Sequence, residues 1–278
     1  MTRRSTPFWF AMSARLPLVA ALIAAAPVDT RDTGAPLTVF AAASLTDAFR
    51  ELGWRLEQQR PGLKVTFNFA GSQQLAVQLE QGAAADVFAT ADQRWMSYAQ
   101  EHGLVEADPQ VFTRNRLVVI VPKTNPARIA GLADLARRGT KIVLAAEAVP
   151  AGKYSREALH KLASASKFRA NYDTRVLANV VSQEDNVKAV VAKVQLGEAD
   201  AGIVYRSDVT PATSRYVRPF DIPDQYNVVA SYPIALVKGA KNQEAAEAFI
   251  SLVVGEEGQR VLGRNGFLPR STSGPPSP

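Results

Sequence analysis

Two stretches decide how this chain is read: Val39-Phe40-Ala41-Ala42-Ala43-Ser44-Leu45-Thr46-Asp47 and Phe67-Asn68-Phe69-Ala70-Gly71-Ser72-Gln73-Gln74. In each, an apolar run with the look of a strand stops at a serine, and a helical pattern starts at once. A strand that feeds a serine-started helix aims several unpaired backbone N–H groups and one hydroxyl at a single point, which is how proteins hold anions.

Outward from those stretches the chain alternates. Leu37–Ala42 reads as a strand, Leu45–Arg60 as a helix closed by Pro61-Gly62, and 63–69 as a half-buried strand with Leu63, Val65, Phe67 and Phe69 on one face. Further helices are expected over 73–81, 93–101, 132–138, 152–165, 187–196 and 245–261. Further strands are expected over 86–90, 117–121, 141–145, 175–180, 201–205 and 228–237. Strands separated by helices predict an α/β architecture with mostly parallel sheets, whose ligands sit beyond the strand ends where helices begin. At 278 residues, 47% of them hydrophobic, the chain is long enough for two domains.

The first 26 residues differ from the rest. Arg3, Arg4 and Arg15 are their only charges, 16–23 is an apolar run, and Ala24-Ala25-Ala26 supplies small residues, the layout of a cleavable export signal. The run is shorter than a membrane span requires. Three arginines and no acid leave with it, which halves the formal charge of +6. The remaining basic residues are scattered without interleaved aromatics, so a nucleic-acid partner is not expected. Without cysteine there is neither a disulfide framework nor a lipid-anchored cysteine. Residues 271–278, Ser-Thr-Ser-Gly-Pro-Pro-Ser-Pro, are too polar and too rich in proline to pack, and a disordered tail is expected there.

Two more helix starts share the anion-ready chemistry. Val149-Pro150-Ala151-Gly152-Lys153-Tyr154 places proline and small residues at a helix opening, and Glu184-Asp185-Asn186-Val187 offers Asp185 or Asn186 as its cap. Each start alone is an ordinary cap; four of them, two in each half of the chain, can converge on one small oxyanion. Enzymatic constellations are missing. His102 and His160 are the only histidines and stand apart, Ser44 lacks a Gly-x-Ser-x-Gly elbow, and no phosphate loop occurs. An exported serine hydrolase using Ser44 is the weaker alternative. Neither a cofactor nor a cation site is expected.

Val39–Ala48, Ala85-Asp86-Val87-Phe88-Ala89-Thr90-Ala91-Asp92, Val149–Tyr154 and Gly202-Ile203-Val204-Tyr205-Arg206-Ser207-Asp208 together resemble the periplasmic molybdate-binding proteins of molybdate ABC importers, from about Leu37 to Leu268. The resemblance implies a type II periplasmic binding protein: two α/β lobes joined by two crossover strands, with the ligand in the cleft between them. It implies a monomer outside the cytoplasm that captures molybdate, and tungstate, for a membrane permease. Ser44 and Ser72 match serines that donate hydroxyl and N–H, Ala151 and Val187 match backbone N–H donors, and Tyr205 matches a hydroxyl donor. Where the family often has a run of serines, this chain has Gly71-Ser72-Gln73. The lobes are expected over 37–115 with 232–270, and over 116–231. Sulfate and phosphate are the competing oxyanions, with Asp185 as the acceptor that hydrogen phosphate would need.

Overall fold

The computed structural model describes residues 1–2, 35–166, 168 and 171–270. The tail and all but the first two residues of the leader lie outside the described residues.

Nine strands form one continuous order. In the first lobe β1 (Leu37–Ala42) lies between β2 (Val65–Ala70) and β3 (Val87–Ala89), both parallel to it. β9 (Val229–Leu236) runs antiparallel beside β3 and pairs with the first half of β4 (Gln110–Pro122). The second half of β4 passes into the other lobe. There it pairs with β7 (Ala201–Tyr205) and β8 (Val217–Asp221), and β7 is followed by β5 (Ile142–Ala145) and β6 (Val180–Glu184). The expectation of mostly parallel sheets is corrected here: β9 runs antiparallel to β3 and β4, and β4, which pairs in both lobes, runs antiparallel to β7, β8 and β9. Asn227 pins the crossing. Its Oδ1 accepts from the N–H groups of Leu117 and Val228, and its Nδ2 donates to the carbonyls of Leu117 and Ile222.

Helices α1 (Thr46–Gln59), α2 (Ser72–Glu80), α3 (Gln93–Glu101), α7 (Gln243–Val254) and α8 (Glu256–Arg264) belong to the first lobe, and α4 (Pro150–Ala163), α5 (Tyr172–Leu177) and α6 (Val187–Gln195) to the second. Phe49 anchors the first core, edge-on to Phe249 at 5.3 Å and 5.7 Å from Phe112. From Phe112 the aromatic chain continues through Tyr232 on β9 to Tyr205 on β7, with ring centres 6.4 and 5.8 Å apart. The packed core of one lobe thus reaches the floor of the cleft.

Three local expectations change, and one strand was not anticipated. Residues 175–180 are not a strand: Tyr172 and Val176, four apart, bury one face of helix α5, and the strand starts only at Val180. The expected helix over 245–261 is two helices, since Gly255 is extended (ψ 172°) and serves as the end of one and the start of the next. β8 carries Pro219, which argues against a strand in isolation; it is tolerated because β8 pairs only with β4 and lies at an edge. β4 begins seven residues before the expected 117, its polar opening held by β9 and bulged between Val111 and Thr113.

Candidate anion-binding cleft

Both lobes contribute to one small, tight pocket with about 10 Å³ of room for the centre of a water-sized sphere. Ser44, Ser72, Ala151, Val187 and Tyr205, far apart in the chain, all line it, together with small residues such as Ala43, Gly71 and Ala91. None of the described residues that line it carries a charge. A wider groove near Asp86 and Lys238 lies elsewhere, and the Asp86 carboxylate is already occupied by the N–H groups of Thr38 and Asn242.

The donors are built by local rules. Ser44 sits in a 3-10 turn (Ala43–Leu45) between β1 and α1, 3% exposed, with its Oγ 2.9 Å from the hydroxyl of Tyr232. Ser72 is the first residue of α2, so its N–H has no intrahelical partner. Its Oγ accepts from the N–H of Ala91 at 3.1 Å, which leaves the hydroxyl hydrogen to point elsewhere. Ala151 follows Pro150 at the opening of α4; proline has no N–H to offer, so the N–H of Ala151 is the first one available there. Val187 opens α6, where Asn186 rather than Asp185 is the cap and accepts from the N–H of Ala189 at 3.0 Å.

Tyr205 ends β7. Its hydroxyl is fully buried and has no hydrogen-bond partner among the described residues. Burial raises its pKa well above the ordinary tyrosine value, with the neighbouring Tyr232, Tyr154, Asp92 and Asp208 adding to the rise, so the group remains a donor at any physiological pH. Asp208 holds the backbone in place by accepting from the N–H of Tyr205 at 3.0 Å. Asp185 is exposed and does not line the cavity, which removes the acceptor suggested for hydrogen phosphate.

Sequence reading missed the contacts that close the cleft. Lys188 bonds Asp47 of α1 at 2.8 Å and lies 3.5 Å from buried Asp208 of its own lobe. Burial lowers the lysine's pKa, but Asp208 and Asp47 outweigh it and the net direction is upward, so the ammonium stays charged. Gln73 donates across the cleft to the carbonyl of Asp185 at 2.8 Å. Arg94 and the Trp95 indole both donate to the carbonyl of Ala148, the latter at 2.9 Å. Gly71 allows this approach, because a Cβ there would stand 2.4 Å from the Asp185 carbonyl oxygen. No spacing in the sequence links 47 to 188 or 95 to 148, so these pairs had no signal to find.

Of the three tryptophans, Trp9 lies outside the described residues and Trp54 is exposed on α1, while Trp95 bonds across the cleft, so Trp95 is the one expected to sense the lobes parting. Trp95→Phe is expected to remove most of a ligand-induced change in intrinsic fluorescence, and Trp54→Phe to retain it; a full-sized change in Trp95→Phe would show that the indole does not sense closure.

A neutral donor cavity between two α/β lobes joined by two crossing strands defines a binding protein of the type II periplasmic class. The chain belongs to the bacterial extracellular solute-binding protein family, whose model matches residues 37–268. Among its relatives, the molybdate-binding protein ModA of Mycobacterium bovis is 36% identical over 88% of both chains. ModA of Escherichia coli is 34% identical over 83% of this chain and 88% of its own. The periplasmic molybdate-binding protein of Azotobacter vinelandii has the same fold, with a TM-score of 0.73, 19% identity and coverage of 84% of this chain and all of that one (100%).

Proposed function

We propose that this chain captures molybdate, and tungstate, outside the cytoplasm and delivers it to the membrane permease of an ABC importer. The observation that carries the reading is the Tyr205 hydroxyl, buried without a partner among the described residues in a cavity it shares with two serine hydroxyls and the openings of α2, α4 and α6. An orphaned buried donor costs stability unless a ligand satisfies it. The proposed shell is Ser44, Ser72, Ala151, Val187 and Tyr205, all neutral donors, and it suits a fully deprotonated tetrahedral dianion, which has only acceptors to offer. Closure replaces the water shell of the anion with these fixed dipoles.

The protein acts by binding alone, as a monomer, with no catalysis and no cofactor; molybdenum is held through its oxygens. Ser44 faces a tyrosine hydroxyl rather than a histidine, which gives it no base for hydrolysis. The proposed lobes are 37–115 with 232–270, and 116–231. They are supported by β4, which pairs with β9 through Arg116 and with β7 from Leu117 onward.

Molybdate at a hundred times its dissociation constant is expected to add about 2.7 kcal/mol of stability, a rise of about 5–10 °C in melting temperature. Tyr205→Phe should weaken binding about ten- to a hundredfold, the worth of a hydrogen bond to a charged group. Calorimetric titration with molybdate, tungstate, sulfate and phosphate checks both. No response to molybdate, or a stronger one to sulfate, would overturn the assignment.

A further inference from the structure

We infer that Asn115 and Tyr232, which belong to the two crossover strands, form a relay that commits the Ser44 hydroxyl to donating into the cleft. This rests on the reading of the cleft as an anion site.

The hydrogen-bond accounting starts at Asn115, which is fully buried. The N–H of Arg116 donates to its Oδ1 at 3.0 Å, which fixes which end of the side-chain amide is oxygen. The other end has two hydrogens and two acceptors: Oγ of Ser207 at 2.8 Å and the hydroxyl oxygen of Tyr232 at 3.4 Å. An amide nitrogen only donates, so Tyr232 accepts there and keeps its own hydrogen for its other neighbour. That neighbour is Oγ of Ser44, 2.9 Å away. The direction of the chain is therefore Asn115 to Tyr232 to Ser44, and the hydrogen of Ser44 is left over for whatever occupies the cavity.

Ser72 repeats the logic with a different supplier. Its Oγ accepts from the N–H of Ala91, which again leaves the hydroxyl hydrogen free. At both serines a fixed donor occupies one lone pair of the oxygen and leaves the hydroxyl hydrogen free to point into the cleft. Burial holds the Tyr232 hydroxyl well above the usual tyrosine pKa, with the bonds to Ser44 and Asn115 offsetting only part of the rise, so the relay does not lose its proton. Because Asn115 lies on β4, Tyr232 on β9 and Ser207 just beyond Tyr205, the network also spans the strands about which the lobes turn. Tyr232 is a positioning residue: it does not line the cavity and acts through Ser44.

The test is a double-mutant cycle read by calorimetric titration with sodium molybdate on wild type, Ser44→Ala, Tyr232→Phe and the double variant, with melting temperatures confirming that each folds. Phenylalanine keeps the ring and its packing against Phe112, Tyr205 and Phe267. Tyr232→Phe is expected to weaken molybdate about tenfold, and the double variant to bind no more weakly than Ser44→Ala alone. If Tyr232→Phe binds as wild type while Ser44→Ala is weakened, or if the two losses multiply, the relay is overturned and Tyr232 is only a core residue. If Ser44→Ala itself binds as wild type, the donor shell beneath the proposal falls instead.

Discussion

Lys188→Met is expected to destabilise the anion-free protein by about 3 kcal/mol, which for a chain of this size is a drop of about 6–12 °C in melting temperature. The cost comes from Asp208, whose side chain is wholly buried and loses the ammonium 3.5 Å from it, while the partly exposed Asp47 side of the contact contributes little. Lys188→Met/Asp208→Asn should recover most of the loss, since the buried charge is then gone; failure to recover would place the cost in packing of the lysine stem. The pH dependence follows with a definite sign. In the wild type the Lys188 pKa is raised, so its contribution is fully present below the ordinary lysine value and is lost only as pH rises through the higher folded value. In Lys188→Met, the burial that already lifts Asp208 acts without the opposing lysine. A carboxyl with a raised folded pKa favours folding most in its protonated form, so the variant should lose more stability than the wild type as pH rises above the ordinary carboxylate value. Thermal melts on either side of that value check it.

Gly152→Ala should have the largest effect on binding for its size. A Cβ there would stand 2.0 Å from the carbonyl oxygen of Ala146 and 2.3 Å from that of Ala145, both backbone atoms that cannot swing aside. The opening of α4 must then lift off the end of β5 and carry the N–H of Ala151 away from the cavity. Overpacking of this kind costs about 1–3 kcal/mol of stability, and displacement of a positioned donor costs at least as much affinity as its hydrogen bond, about tenfold or more. Comparing melting temperature with molybdate affinity separates the two effects. An unchanged affinity in a destabilised protein would mean that α4 does not supply a donor.

Much of the cleft was legible because the information is local. A helix start that lacks N–H partners, a serine at the end of an apolar run and a proline before a small residue are written into neighbouring positions. Ser44, Ser72 and the helix openings that hold Ala151 and Val187 could be found that way, those last two residues being singled out by the resemblance, and the structure brings all four to one cavity. Tyr205 entered through resemblance, since a tyrosine at the end of an apolar strand is otherwise an ordinary core residue. The helix over 172–177 was misread, and the edge strand with Pro219 was not read at all, for the opposite reason: tertiary neighbours, the packing of Tyr172 and Val176 and the pairing with β4, overrode the local pattern.

The sequence by itself determined the alternation of strands and helices, and with it where donors without partners would stand, because capping and periodicity act over a few residues. Only the tertiary structure decided which groups face one another: Lys188 with Asp47 and Asp208, Trp95 with Ala148, and Asn115 through Tyr232 to Ser44. Those pairings join residues that chain spacing leaves unrelated, and they exist only because two crossover strands bring the lobes together.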